Sequence, residues 1–587
     1  MNLTPEQRAI AEHPRGAFVE ACPGSGKTRA IVARAGAMFG ALEANRGLAV
    51  LSFTNSAIDE FAHRCSQHSF EGLRRFPNFV STFDGFLRHF LFSPGGVEGV
   101  DEKPVIVDSW DTLGIDIRLR PPQAFAGEAP SLDLFSPEDN RVAPALIGMP
   151  ALREHVVLHQ AAYQRAAAIR RASLRQRGYF SAADVRVEVV RRLARDAWST
   201  AMSRALAARF AEVIVDEGQD CNPLDCEIIN WLRNAGIRVT VVADPDQAIY
   251  AFRHGVPANL RAMADSYAPE DRLALTGNFR SGPAICTLAA TLRRRVAPDV
   301  SLDDAAQFRE PVHVLTYPGR AASDTIGIFF LARLRELGIG ASSAVVLAHG
   351  RRHALRACGS GAGEEVGDSK VARLATAVGS LWASSTSSRG RERALIVVER
   401  MLLELMGAIA AGEEPATAAT RRSIDRRWLR RSALELLTGL PRNCADSDEA
   451  REAWLQEVHR LVRNLGLPYA ERVTERRYFR SRRGATWHRC FHRPGVDTLT
   501  AATIHEAKGK QFDAVCVVIP PDGPGNARTQ LLVDAWENRV DDEAKRVVYV
   551  GLTRARRLAV LAIPQVVGER ITRILEAAQV QYRLHAL

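Results

Sequence analysis

Lys27 and Thr28 end a glycine-rich segment whose residue types suit a phosphate chain. The stretch Ala17–Thr28 reads AFVEACPGSGKT, and the apolar-periodic segment Ala30–Met38 follows it. This pattern predicts a strand, a loop and a helix start, where backbone N–H groups and the helix dipole converge on phosphates. The lysine would reach the β- and γ-phosphates, and the threonine hydroxyl would bind Mg²⁺. The alternative is a glycine-rich turn before an ordinary helix. The predicted loop comprises Ala21, which stands where the loose pattern has Gly, with Cys22, Pro23, Gly24, Ser25, Gly26, Lys27 and Thr28.

Two carboxylates follow another short apolar run. The run Ala211–Val215 reads AEVIV, and Asp216 and Glu217 come directly after it. At a strand end beside a phosphate loop, Asp216 would hold Mg²⁺ through water, and Glu217 would take a proton from the attacking water. The run Ile237–Ala243 leads in the same way to Gln247, which is placed to sense the γ-phosphate.

Hydrolysis at such a site also needs positive charge on the transition state, as an arginine finger supplies. Arg280 and Arg554, both beyond Gln247 in the chain, are the candidates, and salt-bridged surface arginines are the alternative. Gln7 lies shortly ahead of the phosphate loop, and its amide can donate to and accept from an adenine edge at once. A surface glutamine is the more common case.

Polar and aromatic residues follow further apolar runs, where the strand ends of an open α/β sheet form a ligand crevice. Hydroxyl and amide groups suit the phosphates of a nucleic-acid strand, and rings suit its bases. Helix capping by Thr54 and core packing by Phe83 are at least as common for each residue taken singly. The candidates are Phe53, Thr54, Asn55, Thr82, Phe83, Tyr250 and Phe252.

Length and composition narrow the class of protein. The chain has 587 residues, of which 46% are hydrophobic and 25% charged, so several soluble domains are expected. The net charge of +11 favours a polyanionic partner such as nucleic acid, although arginine-rich codon usage would give the same charge. We find no apolar run of membrane-spanning length, no signal-peptide core and no CxxC pair among the nine cysteines. We therefore expect a reduced, cytoplasmic protein without a membrane segment, structural zinc or an iron–sulfur cluster.

Several motifs in a fixed order carry a family resemblance. GSGKT, DEGQD, VVADPDQAIYAFR and LTGNFRS are followed by TIHEAKGKQF at Thr503–Phe512 and YVGLTRARR at Tyr549–Arg557. As an ordered set, they resemble the motifs of the UvrD/Rep/PcrA group of superfamily 1 helicases. The resemblance implies an α/β fold with two RecA-like parallel-sheet domains and two mostly helical insertions. It also implies ATP and Mg²⁺ as cofactors, with 3′→5′ translocation along single-stranded DNA and unwinding as a consequence.

The resemblance also implies roles for individual residues. Arg280 and Arg554 would reach the ATP cleft from the second domain. Gln7, Arg29, Phe279 and Gln511 would hold the nucleotide, and Arg253, Thr503 and His505 would join the DNA track. The chain departs from the family pattern at Phe252, usually Trp, Phe279, usually Tyr, Gln511, usually Glu, Ser56, usually Lys, and Asp84, usually His. The departures at Ser56 and Asp84 weaken predicted DNA contacts and place an anion near the track.

The predicted domains are a first RecA-like domain at 1–93 and 211–275, a helical insertion at 94–210, a second RecA-like domain at 276–357 and 496–587, and a reduced, basic helical insertion at 358–495. The first insertion carries arginines that could track phosphates or form a solvated face, namely Arg165, Arg170, Arg171, Arg175 and Arg177. The resemblance implies that the second contacts duplex DNA or a partner protein such as a nuclease.

Three functions remain open from the sequence. The first is a DNA helicase acting in DNA repair or anti-phage defence. The second is a DNA-stimulated ATPase subunit that regulates a partner nuclease without processive unwinding. The third is a non-catalytic DNA-binding adaptor, which the complete set of cleft residues argues against.

Overall fold

The structure is a computed structural model of the chain. It describes residues 2–42, 45–97, 100, 104–107, 109–110, 116–126, 129–142, 144–147, 149–249, 257–295, 297–318, 324–358, 370–382, 388–409, 415–445, 447–467, 474–481, 487, 491, 499–522 and 528–587.

The strands fall into two large sheets and two small pairs. In chain order they are β1 (Phe18–Ala21), β2 (Gly47–Ser52), β3 (Phe79–Thr82), β4 (Val105–Val107), β5 (Tyr179–Ser181), β6 (Phe210–Val215), β7 (Arg238–Ala243), β8 (Arg272–Leu275), β9 (Gly277–Asn278), β10 (Val300–Ser301), β11 (Val312–Tyr317), β12 (Ala344–Ala348), β13 (Thr500–Thr503), β14 (Phe512–Val518), β15 (Ala555–Pro564) and β16 (Tyr582–Ala586).

Helices connect these strands and form the insertions. They are α1 (Pro5–Glu12), α2 (Lys27–Phe39), α3 (Asn55–Gln67), α4 (Phe83–Phe86), α5 (Pro150–Leu158), α6 (Gln160–Gln176), α7 (Ala182–Leu193), α8 (Asp196–Arg209), α9 (Pro223–Asn234), α10 (Pro257–Asp265), α11 (Pro283–Leu292), α12 (Asp324–Glu336), α13 (Arg351–Ala357), α14 (Lys370–Trp382), α15 (Ser388–Leu405), α16 (Pro415–Arg421), α17 (Arg426–Gly439), α18 (Asp448–Asn464), α19 (Glu475–Tyr478), α20 (Ile504–Ala507), α21 (Arg528–Glu537), α22 (Glu543–Leu552) and α23 (Gln565–Ala577). None of these helices combines the length and the apolar character that crossing a membrane requires.

Two six-stranded parallel sheets confirm the predicted α/β fold. The first has the order β3-β2-β6-β7-β1-β8 and the second the order β13-β12-β14-β15-β11-β16. We call the parts of the chain packed on these sheets the first lobe and the second lobe. Every residue of β2, β6 and β12 is buried, because helices cover both faces of a parallel sheet. The apolar runs in the sequence reflect this double burial.

The first insertion lies between β3 and β6 and has its own core, which includes Trp110 and Tyr163. The helical stretch predicted over Glu154–Arg177 is two helices rather than one. They meet at His159, whose φ of −108° and ψ of 28° lie outside the helical region. The second insertion contributes α14 to α19 around a separate apolar core that includes Trp454.

Two arginines of α6 form ion pairs within the first insertion. Arg171 pairs with Asp184 at 2.7 Å, and Arg175 pairs with the buried Glu188. Both partners lie on α7, so these pairs fasten the two helices to each other. For these two arginines, pairing within the insertion stands beside the two alternatives of the sequence, phosphate contact and a solvated face.

Candidate functional site

The phosphate-binding loop joins β1 to the first residue of α2. Gly24 and Gly26 have φ of +75° and +74°, which a side chain rarely permits. A Cβ on Gly24 would also lie 2.7 Å from the Asn278 Oδ1 atom and 2.6 Å from the Cβ of Arg280. The buried Ser25 Oγ has no hydrogen-bond partner among the described residues. The loop is therefore tightly packed and keeps a hydroxyl that can still form a hydrogen bond, which fits a phosphate chain.

A cavity of about 1010 Å³ opens in front of this loop. Its lining comes from both lobes, since the loop and the carboxylates lie on the first lobe and residues beyond position 500 lie on the second. The predicted site residues that line it are Pro23, Gly24, Ser25, Gly26, Lys27, Thr28, Arg29, Thr54, Asp216, Glu217, Gln247, Phe279, Arg280, Gln511 and Arg554. The size suits a nucleoside triphosphate.

Asp216 and Glu217 leave the end of β6 with their backbone fixed. The Asp216 N–H donates to the Leu51 carbonyl at 2.8 Å, and the Glu217 N–H donates to Asp216 Oδ1 at 2.9 Å. Glu217 has a φ of +56°, a strained conformation for a residue with a side chain. The surrounding contacts must therefore hold this carboxylate in place.

The two carboxyl groups have opposite pKa shifts. Burial, and then the neighbouring Glu217 carboxylate, raise the pKa of Asp216 to about 7. Burial also acts to raise the pKa of Glu217, but Lys27, Lys508 and a hydrogen bond from Gln219 outweigh it, so this pKa is lowered. Glu217 is thus the carboxylate that stays ionised, as a base that accepts a proton must.

The two candidate arginines lie side by side at the wall of the cavity. Arg554 is buried, and its Nη2 donates to Gln247 Oε1 at 2.7 Å across the boundary between the lobes. Arg280 donates through Nη1 to the Thr553 carbonyl at 3.1 Å and through Nε to Gln511 Oε1 at 3.3 Å. Burial, and then the charge of Arg554, lower the pKa of Arg280 to about 9. Such a pair of cations favours an anion between them.

Gln7 is fully buried against the phosphate loop. Its Nε2 donates to the Ser25 carbonyl at 3.0 Å, and its Oε1 accepts from the Thr4 N–H at 3.3 Å. These bonds hold the loop to α1. A contact from Gln7 to adenine stays a prediction.

The other predicted nucleotide contacts lie together beside the loop. The Phe279 N–H donates to the Gly24 carbonyl at 2.9 Å, and the Arg29 guanidinium lies 5.7 Å from the centre of the Phe279 ring. The Oε1 atom of Gln511 accepts a hydrogen bond from Arg280 Nε at 3.3 Å. The structure thus joins these residues into one wall of the cavity, and their roles toward a nucleotide stay predictions.

Three threonines predicted to contact DNA cap helices at strand ends. Thr54 accepts from the Ala57 N–H at 3.2 Å, Thr82 from Gly85 at 3.1 Å and Thr503 from Glu506 at 3.1 Å. Thr82 ends β3 and Thr503 ends β13, which are corresponding outer strands of the two sheets. Thr54 and the adjoining Asn55 are exposed. Capping uses the hydroxyl as an acceptor only, so each hydroxyl proton remains able to donate to a phosphate.

The position of Phe83 contradicts the prediction that its ring contacts bases. Its ring has no exposed surface and stacks on the half-buried Phe53 with centroids 5.1 Å apart. A ring without exposed surface cannot stack on a base, so core packing is the correct alternative in this structure.

Asp84 forms an ion pair with an arginine of the first insertion, which it shares with a second carboxylate. Its Oδ1 accepts from Arg186 Nη1 at 2.6 Å, and the same guanidinium donates to the buried Asp225 at 2.7 Å. Arg186 lies on α7, so the residue that stands in place of the usual His is bound to the first insertion.

His505 contacts the first lobe rather than open solvent. Its Nε2 lies 3.2 Å from the Ile249 carbonyl, and its ring centre lies 5.5 Å from that of His349. The predicted base-stacking residues that follow Ile249, namely Tyr250, Phe252 and Arg253, lie outside the described residues.

The segment Asp244–Ile249 of the first lobe is held by side chains of the second. Besides Arg554 and His505, three residues that the sequence interpretation missed take part. Arg546 Nε donates to the Ala248 carbonyl at 2.8 Å, the Tyr549 hydroxyl donates to Asp244 at 3.3 Å, and Lys508 Nζ lies 3.4 Å from the Gln247 carbonyl and 2.6 Å from Asp220. Their only signal in the sequence was their position inside or beside the quoted motifs.

Comparison with known proteins covers part of the chain. Residues 3–268 match the family model of the UvrD/REP helicase N-terminal domain. The chain is 28% identical over 373 residues to ATP-dependent DNA helicase UvrD2 of Mycobacterium tuberculosis, covering 61% of this chain and 48% of the relative. It is 26% identical over 308 residues to DNA helicase II of Escherichia coli, covering 50% and 40%. A shorter match, 29% over 120 residues, is to an ATP-dependent helicase/nuclease subunit of Carboxydothermus hydrogenoformans, covering 20% of this chain and 10% of the relative. The matched region thus spans less than half of each of these relatives.

Proposed function

Because this chain belongs to the UvrD/Rep-like group of superfamily 1, we propose that it is an ATP-dependent motor that moves 3′→5′ along single-stranded DNA and unwinds duplex ahead of it. One observation carries the proposal. The cavity that suits a nucleoside triphosphate is lined by Lys27 and Glu217 from the first lobe and by Arg280 and Arg554 from the second. A nucleotide bound there would be held by both lobes at once.

The residues of the cavity divide the chemistry of hydrolysis among them. The loop N–H groups and Lys27 bind the phosphates, and Glu217 accepts a proton from the attacking water. Arg280 and Arg554 stabilise the negative charge that develops on the transferred phosphoryl group. The Thr28 hydroxyl and the Asp216 carboxylate are hard oxygen donors of the kind that Mg²⁺ prefers, and they would hold it. The ion supplies charge neutralisation at the phosphates when bound.

Movement follows from the contacts between the lobes. The segment Asp244–Ile249 is bonded to the second lobe by five side chains, so a change in lobe closure moves it. The half-buried strand ends at Thr82 and Thr503 lie on different lobes, and closure would change their separation. Repeated ATP binding and hydrolysis would therefore shift one DNA contact relative to the other.

The test combines phosphate release with strand displacement. We expect ATP hydrolysis that single-stranded DNA stimulates, and displacement of a duplex with a 3′ single-stranded tail but not of the same duplex with a 5′ tail. Lys27→Ala is the negative control, because it removes the phosphate contact. Hydrolysis without any response to DNA would refute the motor, and displacement from the 5′ tail alone would refute the polarity.

A second candidate is a DNA-stimulated ATPase that regulates a partner nuclease without processive unwinding. The structure favours it at one point, since Phe83 is buried and Asp84 is bound to Arg186, which leaves fewer DNA contacts on the first lobe. DNA-stimulated hydrolysis with no displacement from either tail would support it. If a nuclease copurifies with the full chain but not with a variant that lacks residues 358–495, that insertion is the partner surface. Either activity would serve DNA repair or anti-phage defence.

A further inference from the structure

Gln219 lies between the candidate base Glu217 and the segment Asp244–Ile249, which contacts the second lobe. Its side chain is buried, with 4% exposed. Its Nε2 donates to Glu217 Oε2, and its Oε1 accepts from the Asp244 N–H at 3.0 Å. One amide thus touches both the candidate base and the first residue of the segment Asp244–Ile249.

Only a carboxamide of this length satisfies both neighbours. The Glu217 carboxylate needs a donor, and the Asp244 N–H needs an acceptor. A glutamate at 219 would keep the acceptor but would place a second carboxylate against the first. A methionine would match the length and lose both bonds. The residue type is therefore set by two hydrogen bonds of opposite sense.

The strain at Glu217 gives the first bond a specific task. A residue with a φ of +56° stays in that conformation only when its surroundings over-determine it. Gln219 is the neutral partner of the Glu217 side chain, whereas Lys27, Lys508 and Arg554 act on it through their charges. A directional hydrogen bond sets the orientation of a carboxylate more narrowly than distant charges do.

The second bond extends the connection to the other lobe. Asp244 Oδ2 accepts from Gln247 Nε2 at 2.6 Å, and Gln247 Oε1 accepts from Arg554 at 2.7 Å. A continuous path of hydrogen bonds therefore runs from Glu217 through Gln219, Asp244 and Gln247 to Arg554. The same segment continues into the residues predicted to stack on DNA.

We propose that Gln219 is a positioning residue that orients the Glu217 carboxylate and transmits displacement of the segment Asp244–Ile249 to it. Turnover would then respond to DNA through this amide. The inference deepens the proposed function, on which it rests. It places Gln219 outside the group of residues that touch the nucleotide.

The test compares Gln219→Met and Gln219→Glu with the wild-type chain in steady-state ATP hydrolysis, with and without single-stranded DNA. We expect kcat with DNA to fall about 10- to 100-fold in both variants, part of what a general base contributes, while KM for ATP changes less than about threefold. The ratio of the DNA-stimulated rate to the basal rate should fall toward one. Gln219→Glu keeps the bond to Asp244, so it gives the result if Gln219→Met does not fold.

Thr240→Val is the matched control. Thr240 is buried on β7 and donates to Glu212, away from the cavity, so its loss removes a buried hydrogen bond of the same sheet. A kcat loss in this control as large as in the Gln219 variants would refute a specific role. An unchanged stimulation ratio in both Gln219 variants would refute the transmission, and a rise in KM alone would assign Gln219 to nucleotide binding. Wild-type hydrolysis that ignores DNA would instead refute the proposed function.

Discussion

Replacing Arg554 by alanine tests directly whether the second lobe completes the catalytic site. Arg554 is buried with 3% exposed, and it donates to the Val550 carbonyl at 3.0 Å and to Gln247 Oε1 at 2.7 Å. The first bond fixes the side chain to the end of α22, which precedes it, and the second brings it against the first lobe. The variant removes the charge together with both of these hydrogen bonds.

The size of the effect follows from the two neighbouring arginines. An arginine finger contributes about 10³- to 10⁵-fold to kcat in phosphoryl transfer. Because Arg280 remains beside the cavity, we expect a smaller loss of about 10²- to 10³-fold, equivalent to about 3–4 kcal/mol of transition-state stabilisation. The affinity for ATP should weaken by about tenfold or less, because Lys27 and the loop are unchanged.

The assay is phosphate release at saturating ATP and single-stranded DNA, with a fluorescent nucleotide titration for binding. Arg570→Ala is the matched control, since Arg570 pairs with Asp534 and Glu537 on the surface of the second lobe, away from the cavity. This control should keep kcat within about twofold of the wild-type value. A kcat for Arg554→Ala within about threefold of wild type, at unchanged protein stability, would show that the lobes do not share the chemistry.

Other expectations follow from the same structure. Glu217→Gln should keep ATP binding and lose about 10²- to 10⁴-fold in kcat, because only the base is removed; phosphate release near the wild-type rate would contradict the assignment. Arg34→Met should lower the free energy of unfolding in urea by about 3–5 kcal/mol, because it removes the guanidinium 2.7 Å from the fully buried Glu212 and leaves that carboxylate without this ion-pair partner. The double variant Arg34→Met with Glu212→Leu should recover most of that loss, and a double variant as unstable as the single one would point to the backbone bonds of Arg34 instead. Burial lowers the pKa of His313 and His585, so these rings bind protons more readily in the unfolded chain than in the folded chain. Their contribution to the free energy of unfolding is therefore fully present above about pH 6.5 and is lost as the pH falls below it. The urea midpoint should therefore fall between about pH 7 and pH 5, less steeply in His313→Phe, and equal slopes would contradict the shift.

Local chemistry made much of the nucleotide side predictable from the sequence. Glycines in a strand–loop–helix context indicate a phosphate cradle wherever they occur, because the positive φ values and the close packing at Gly24 exclude side chains. Carboxylates directly after a buried strand must leave the sheet at its carboxyl edge, as Asp216 and Glu217 do. These inferences depend on a few neighbouring residues, so no tertiary information was needed.

Pairings between distant residues were decided by the tertiary structure. Phe83 follows β3, where its ring could pack in the core or face DNA. Only the folded structure shows that the ring is fully buried and stacked on Phe53. Asp84 pairs with Arg186, about a hundred positions away, and shares that guanidinium with Asp225, which no local pattern indicates.

By itself, the sequence determined the α/β class and the phosphate loop, because periodicity and short-range geometry encode them. The ordered motifs supplied the other residue types of the cavity through the family resemblance. Only the tertiary structure decided that Gln219 joins Glu217 to Asp244 and that Arg554 reaches Gln247. Hydrogen bonds between lobes depend on how two sheets are placed relative to each other, and no local pattern of residues records that placement.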